Sequence, residues 1–417
     1  MVRTLGRHQE PRPVFAGSGR GGRSVFGAVL SVLAGLALTA ACAAPQRPAE
    51  VGRPATSVVP PELVPGASPV PSPSPRFFGP APSPAASPAM SPAASPAASP
   101  AASPAVAPSP SPGAGGEVAV TANSGDRTLS VVDVAGQRLV GTITLTRAPH
   151  AVAVTADARL ALATDNSPDS RSVVVADLTA MRQIGEIGVG AQPEGIAVER
   201  ATSRAVVANG GDNSVSLVDT RAQAATATIP VGSGPRGVEV ASLDGVATAF
   251  VADDGDGTLS VVDLDGRRVV AMVQVGGKPT AVAATPDGTR ALVLKTDTGT
   301  VVTVDARTGR VLAETNVGLN PTDLIVSPDG RYAYVAASEA NRNLLRIDLA
   351  TNTVDQEFRP GGGAGANAVA MGADPGRVLL ATQDGKLAIL NVLTRSAGSI
   401  TVGREPADVA VVPGLAR

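Results

Sequence analysis

From residue 117 onward, short apolar segments alternate with polar turns, and the pattern repeats along the chain. One series of positions, mostly proline, begins a short apolar segment in each copy: Pro149, Pro193, Pro235, Pro279, Pro321 and Pro406, with Ala366 in the remaining copy. A second series consists of the acid or amide that ends an apolar pair or triplet: Asp133, Asp177, Asp219, Asp263, Asp305, Asp348 and Asn391. The members of this second series are spaced by 44, 42, 44, 42, 43 and 43 residues. Such a period is typical of four-stranded propeller blades.

The repeat that begins at Pro321 shows the elements of one unit. Its pattern predicts strands over 324–326, 332–336 and 344–348, with a fourth strand after the next turn. The segment 327–330 reads Ser-Pro-Asp-Gly, in which proline fixes φ, the Asp side chain accepts backbone hydrogen bonds and glycine adopts positive φ. It therefore predicts a tight turn between two strands. Outside the N-terminal apolar run, no segment has a capped helical periodicity.

The two ends of the repeat region are predicted to form one blade together. Glu117 leads directly into a second-strand pattern at 118–120, and the chain finishes with a lone first strand at 406–411. Pairing of these segments would close the ring and leave no open blade. We therefore predict an all-β fold over 117–417: a seven-bladed β-propeller of four-stranded antiparallel blades.

The same repeat carries a resemblance to a known family. The stretches SPDGRYAYVAAS at 327–338 and LLRIDLATN at 344–352 resemble the YVTN family of β-propeller repeats. Membership would imply a seven-bladed extracytoplasmic propeller. Other copies depart from the pattern at the position of Tyr334, with Leu162, Val206, Phe250 or Leu292 there. The chain has no tryptophan, which argues against WD40 repeats.

The N-terminus, 1–42, has the order of an export signal. Five arginines precede an uncharged, apolar run from 24 to 45, and the run contains Cys42. The segment 38–42, LTAAC, resembles a bacterial lipobox, although the leucine lies one residue earlier than is usual. We expect Cys42 to be lipidated and to anchor the protein outside the cytoplasmic membrane. An uncleaved membrane anchor and free secretion are the alternatives.

The segment 43–116 is predicted to be a disordered stalk. It holds 21 of the 36 prolines, mostly in Ser-Pro and Ser-Pro-Ala-Ala repeats, and has few large side chains to bury. Proline at this density favours extended polyproline II, with a rise of about 3 Å per residue. We expect a spacer that carries the propeller away from its anchor; a proline-rich ligand or a glycosylated segment are alternatives.

Composition excludes several kinds of chemistry. Residues 117–417 carry 26 basic and 33 acidic side chains, so a nucleic-acid partner is not expected. One cysteine, Cys42, and two histidines, His8 and His150, cannot supply a disulfide framework, a zinc cluster or a haem attachment motif. We therefore assign no catalytic residue, metal or cofactor.

Comparing the internal copies separates scaffold from candidate site, because a residue that the blade requires recurs. The acid or amide that ends the third strand recurs in every copy and is expected to cap a turn. The acidic segment 253–257 is expected to be a polar turn rather than a calcium loop, since it lacks the downstream Glu of an EF-hand.

The loop that enters each first strand varies most. After the proline position come His150, Glu194, Arg236, Thr280, Thr322, Asn367 and Ala407. The next residue is Gly or Ala in five copies, as crowding near a central channel would require, whereas two copies have Asp323 and Asp408. The candidate ligand- or partner-binding residues are Asp323, Asp408, His150, Glu194, Arg236 and Asn367. The competing interpretation is that the two acids are solvated at the channel mouth and that His150 is an ordinary loop histidine.

Two main classes of function remain at this stage. One is a non-enzymatic binding or scaffolding propeller that presents its loop face to a protein or envelope polymer. The other is an extracytoplasmic propeller enzyme that hydrolyses lactones or oxidises sugars, although residues 117–417 hold only one histidine and four aromatic residues. Docking to a separate electron-transfer protein is a third hypothesis. The sequence favours the first.

Overall fold

A computed structural model describes residues 116–412 apart from 319, 340–343 and 360–363. This part of the chain contains 28 strands in seven four-stranded antiparallel sheets, which are the seven predicted blades. No helix occurs in it, and hence none that could cross a membrane. Cys42, the predicted signal and the predicted stalk lie outside the described residues.

Each blade is built from strands in the order predicted by the repeat. Blade 1 combines the last strand with the first three: β28 (Pro406–Val412), β1 (Val118–Asn123), β2 (Thr128–Asp133) and β3 (Arg138–Thr144). Blades 2 and 3 contain β4 (Val152–Val154), β5 (Leu160–Thr164), β6 (Ser172–Asp177), β7 (Arg182–Gly188), β8 (Pro193–Val198), β9 (Arg204–Asn209), β10 (Ser214–Asp219) and β11 (Ala224–Pro230). Blades 4 and 5 contain β12 (Pro235–Leu243), β13 (Val246–Asp253), β14 (Thr258–Asp263), β15 (Arg268–Gln274), β16 (Pro279–Ala284), β17 (Arg290–Lys295), β18 (Thr300–Asp305) and β19 (Arg310–Asn316). Blades 6 and 7 contain β20 (Pro321–Val326), β21 (Tyr332–Ala337), β22 (Leu344–Asp348), β23 (Thr353–Phe358), β24 (Ala366–Met371), β25 (Arg377–Thr382), β26 (Lys386–Asn391) and β27 (Ala397–Thr401).

The innermost strands form the wall of a central channel. Each first strand contacts the first strand of the next blade, and the series β4, β8, β12, β16, β20, β24, β28 returns to β4. The second and third strands are buried on both faces, which explains their continuous apolar sequences, whereas outer strands such as β15 consist mainly of exposed and half-buried residues. Seven apolar clusters, one between each pair of neighbouring blades, make up the core.

The predicted closure of the ring is confirmed. β28 pairs antiparallel with β1, from Val118 opposite Val412 to Ala122 opposite Asp408. Beside this blade, the buried carboxylate of Glu117 accepts hydrogen bonds from Ala373 N at 2.7 Å and Arg377 Nη1 at 2.5 Å. Both ends of the repeat region are thus tied into the same part of the ring.

The recurring acids cap turns, as their repetition indicated. In all seven copies the first side-chain oxygen accepts backbone N–H groups two or three residues ahead; these residues are Asp133, Asp177, Asp219, Asp263, Asp305, Asp348 and Asn391. The turn at 327–330 also forms, with Asp329 Oδ1 accepting from Arg331 N at 3.1 Å and Gly330 at φ 67°. These turns lie at one end of the strands, which we call the opposite face. The loops that enter the first strands lie at the other end, the mouth face.

Candidate functional site

The mouth ring consists of the seven residues that follow the proline position of each blade, and part of it joins neighbouring blades. Thr322 Oγ1 donates to Ala366 O of the next blade at 2.9 Å. Asn367 Nδ2 donates to Pro406 O of blade 1 at 3.0 Å, and its Oδ1 accepts from Gln383 Nε2 at 3.4 Å. Asn367, one of the predicted binding residues, therefore holds two blades together through its side chain.

His150 and Glu194 meet across blades 2 and 3. The distance from His150 Nε2 to Glu194 Oε2 is 3.2 Å; the histidine side chain is 42% exposed and the carboxylate 9%. Burial alone would raise the pKa of Glu194, but the hydrogen bond and charge of His150, the charge of Arg236 and a hydrogen bond from Asn166 together lower it. The mouth thus contains a largely buried carboxylate that stays ionised.

Arg236 continues this charged arc on blade 4. Its Nε lies 3.0 Å from Asp254 Oδ2, in the loop between the second and third strands. The other oxygen, Asp254 Oδ1, is buried and has no hydrogen-bond partner among the described residues, and the same holds for Thr280 Oγ1 on blade 5. Buried polar atoms without partners are rare in folded proteins, and protein atoms enclose both of these oxygens.

The position after the mouth ring is crowded, as the small residues there predicted. A Cβ on Gly195 would lie 2.4 Å from Arg236 O, and one on Gly237 would lie 2.7 Å from Ala281 Cα. Carbon atoms cannot approach backbone atoms so closely, so each first strand passes against the next with no space for a side chain at these two blades.

Asp323 and Asp408 occupy the same position in blades 6 and 1, where the neighbouring backbone leaves room for a carboxylate. Asp323 accepts from its own Leu324 N at 2.8 Å and from Val369 N of blade 7 at 2.9 Å. Asp408 accepts from its own Val409 N at 2.7 Å and from Val152 N of blade 2 at 2.8 Å. Each acid is therefore a bridge between blades, a role that the sequence comparison did not predict.

Both bridging acids resist ionisation. Burial, with smaller contributions from the charges of Asp408 and Glu239, raises the pKa of Asp323 to about 7 against the lowering effect of its two backbone donors. Burial also raises the pKa of Asp408, opposed by its backbone donors and by the charge of His150. Each residue is half-buried as a whole, but protein surrounds the carboxyls closely enough to disfavour their charged forms.

Glu239 is a third channel acid, and the sequence analysis missed it. It lies two residues further along the first strand of blade 4, where the other copies have Ala153, Ala197, Ala283, Ile325, Ala370 and Ala410. Burial raises its pKa to about 7, against the charge of Arg200. The comparison of copies that singled out Asp323 would have found Glu239 if it had been continued along the strand.

No group of three or more His, Cys, Asp or Glu residues within the described segments is placed to hold a metal ion. The acidic segment 253–257 forms the expected turn between β13 and β14. Its Asp256 Oδ2 accepts from Ser233 N at 2.6 Å in the preceding loop.

Several solved protein structures are similar to this fold. No family model and no curated protein sequence matches the chain. Hydrazine synthase of Kuenenia stuttgartiensis matches with 22% identity over 63% of this chain and 89% of that chain, at a TM-score of 0.55. A functionally unknown protein from Desulfotomaculum acetoxidans matches with 16% identity over 71% and 98% of the two chains, at a TM-score of 0.60. Dihydro-heme d1 dehydrogenase NirN, in complex with DHE, matches with 17% identity over 70% and 74%, at a TM-score of 0.51. At these identities the likeness shows the seven-bladed propeller fold alone, and membership of the YVTN family stays a prediction.

Proposed function

We propose that this protein is a non-enzymatic binding or scaffolding propeller of the cell envelope that presents its mouth face to a protein or an envelope polymer. In this proposal Cys42 carries the lipid anchor and 43–116 forms the stalk. The mouth ring and the loops beside it are the contact surface.

The arc formed by His150, Glu194, Arg236 and Asp254 is the observation that carries the proposal. It spans blades 2 to 4 and offers an exposed histidine, a buried ionised carboxylate and a guanidinium side by side. Because these groups already hold one another in place, a partner meets them without paying for their ordering.

The channel acids extend this surface inward. Asp323, Asp408 and Glu239 face a common channel, and their charges interact closely enough to affect the pKa of Asp323. A cationic or hydrogen-bond-donating group that enters from the mouth would meet acids that its charge can ionise. A polar or basic group on the partner therefore fits this centre best.

Capture from the native envelope tests the proposal. Full-length protein would be cross-linked in membrane and cell-wall fractions of its own organism, and the bound partner then titrated against purified variants. Arg236→Thr and His150→Thr introduce a residue that blades 5 and 6 already carry at this position, so both variants should fold. Loss of a charge-assisted hydrogen bond should weaken partner binding by about 1–3 kcal/mol.

Arg307→Ala is the matched control, because Arg307 is exposed and ion-paired on the opposite face, with Nη2 2.5 Å from Asp244 Oδ1. It should leave the affinity unchanged. If mouth variants bind the captured partner as the wild type does, the contact surface lies elsewhere. Turnover of a lactone or a sugar that the mouth variants lose would instead establish an enzyme.

A further inference from the structure

A cavity opens on the opposite face, between blades 2 and 3. It has a volume of about 590 Å³, within the usual range for small-ligand sites. The turns after β4, β6, β8 and β10 surround it. It is distinct from the mouth, since it lies at the other end of the strands.

One departure in the repeat lies at this cavity. Directly after the turn-capping acid, six blades place an apolar residue that joins an inter-blade core: Val134, Leu178, Leu264, Ala306, Leu349 and Val392. Blade 3 has Thr220 instead, and the core between blades 2 and 3 has no such residue. Thr220 lines the cavity, so a shorter, polar side chain stands where a leucine would fill space in blades 2, 4 and 6.

Three arginines line this cavity: Arg159, Arg200 and Arg221. Their side chains form no hydrogen bond or ion pair with any described residue, whereas Arg204 beside them is paired with Glu199 at 2.7 Å. Arg200 occupies the turn position of Ala156, and Arg221 the position of Ala135 and Ala350 in other blades. Neither arginine is therefore required by the blade fold.

The acids of the cavity, in contrast, belong to the repeat. Asp157 accepts from Thr155 Oγ1 at 2.6 Å and from Arg159 N at 3.1 Å, as the matching acids of blades 5 and 6 do within their own turns. Asp177 caps its turn like its six counterparts. Three guanidinium groups against two carboxylates engaged in turns leave the cavity positive, on a propeller that is acidic as a whole.

We infer that this cavity binds a phosphate ester of a polyhydroxy compound. Guanidinium groups recognise phosphate oxygens through paired, charge-assisted hydrogen bonds. Around them, Thr202, Ser203 and Gln223 can exchange hydrogen bonds with ligand hydroxyls. The phosphate can come from a free sugar phosphate or from a polymer of polyol phosphates, and the two sources share this chemistry.

Calorimetric titration of the full-length protein with glucose 6-phosphate tests the inference, with glucose as the uncharged control and sodium chloride holding the ionic strength constant. The wild type should bind the phosphate and not glucose. Arg200→Ala and Arg221→Ala should each weaken binding by about 10- to 100-fold. A second titration, with poly(glycerol phosphate), distinguishes the two sources of the phosphate. Binding of the polymer alone would assign the site to a polymer of polyol phosphates, and binding of both probes would assign it to a free phosphate ester.

Two further variants separate this site from general charge and from misfolding. Thr220→Leu restores the residue of blades 2, 4 and 6, so it should abolish binding while the melting temperature stays equal or rises. Arg307→Ala, on the same face outside the cavity, should leave the affinity unchanged. Absence of binding to both phosphate probes, or equal losses in Arg200→Ala and Arg307→Ala, would overturn the inference. The outcomes of Arg221→Ala and Thr220→Leu do not depend on the mouth face, because both residues lie on the opposite face, whereas Arg200 also acts through its charge on the channel acid Glu239.

Discussion

The carboxyl of Asp253 offers a sharp test of how this ring balances burial against charge. It ends β13 and is fully buried, and its Oδ2 accepts from Thr258 Oγ1 at 3.0 Å and Ser260 Oγ at 2.7 Å, while Oδ1 has no partner among the described residues. In blade 3 the same position is Asn209, whose Nδ2 donates to Ser214 Oγ and Ser216 Oγ, both at 3.0 Å. Because hydroxyls can donate or accept, Asp253→Asn should keep both contacts with the hydroxyls rotated.

The size of the effect follows from the pKa of Asp253, which burial raises from 3.8 to about 6. A carboxyl whose pKa is raised in the folded state binds its proton more tightly there than in the unfolded chain. Its contribution to the stability of the folded state is therefore fully present below pH 4 and is lost as the pH rises through about 6. A shift of about two pKa units corresponds to roughly 3 kcal/mol at pH 8. Asp253→Asn removes this loss, so it should stabilise the ring at pH 8 by up to about 3 kcal/mol and have little effect at pH 4.

Urea unfolding between pH 4 and pH 8 would measure the difference, with unchanged slopes as the condition for comparing midpoints. Asn209→Asp is the reverse exchange in blade 3 and should destabilise the protein increasingly as the pH rises. The reasoning would be refuted if the difference in free energy of unfolding between Asp253→Asn and the wild type did not vary with pH, or if Asn209→Asp stabilised the protein.

Three further expectations concern the channel, the closure and the anchor. Asp323→Ala should lower the free energy of unfolding at pH 5 by about 1–3 kcal/mol, because Val369 N loses its acceptor. This loss should be smaller above pH 7, because there the buried wild-type carboxyl ionises and itself destabilises the folded state. Thermal melting of both proteins at pH 5 and above pH 7 measures the difference. Removing β28 should abolish cooperative melting, because it leaves β1 without its inner partner, whereas deleting residues 43–112 should leave the melting temperature unchanged; equal melting of the β28 truncation and the intact protein would contradict the observed closure. Cys42→Ser should abolish fatty-acid labelling in cells, and a wild type that takes up no label would exclude the lipid anchor.

Repetition made the fold predictable. Because one hydrophobic pattern occurs in seven copies, each predicted strand and turn can be checked against the other copies. The incomplete repeats that begin at 117 and 406 indicate how the ring closes. The turn-capping role of residues such as Asp177 was predictable for the same reason, since recurrence indicates a structural demand.

The site was predictable only in part, because the comparison of copies finds departures but not their partners. It found Asp323, yet the donor that explains it, Val369 N, belongs to another blade and is set by how the inner strands lie side by side. The cavity beside Thr220 shows the same limit, since a threonine in place of leucine indicates missing volume only after its neighbours are known. Glu239 differs, because its signal was in the sequence and one more position of comparison would have found it.

The pairing of Val118 with Val412 also determines the order in which the molecule can fold. Blades 2 to 7 are built from strands that follow one another closely, so their contacts can form while the chain is still being synthesised. Blade 1 must instead join segments separated by about 290 residues, so β1 gains its inner partner only after the strands of the other six blades have been synthesised. Until β28 has been synthesised, β1 therefore has an unpaired edge that is open to intermolecular strand pairing.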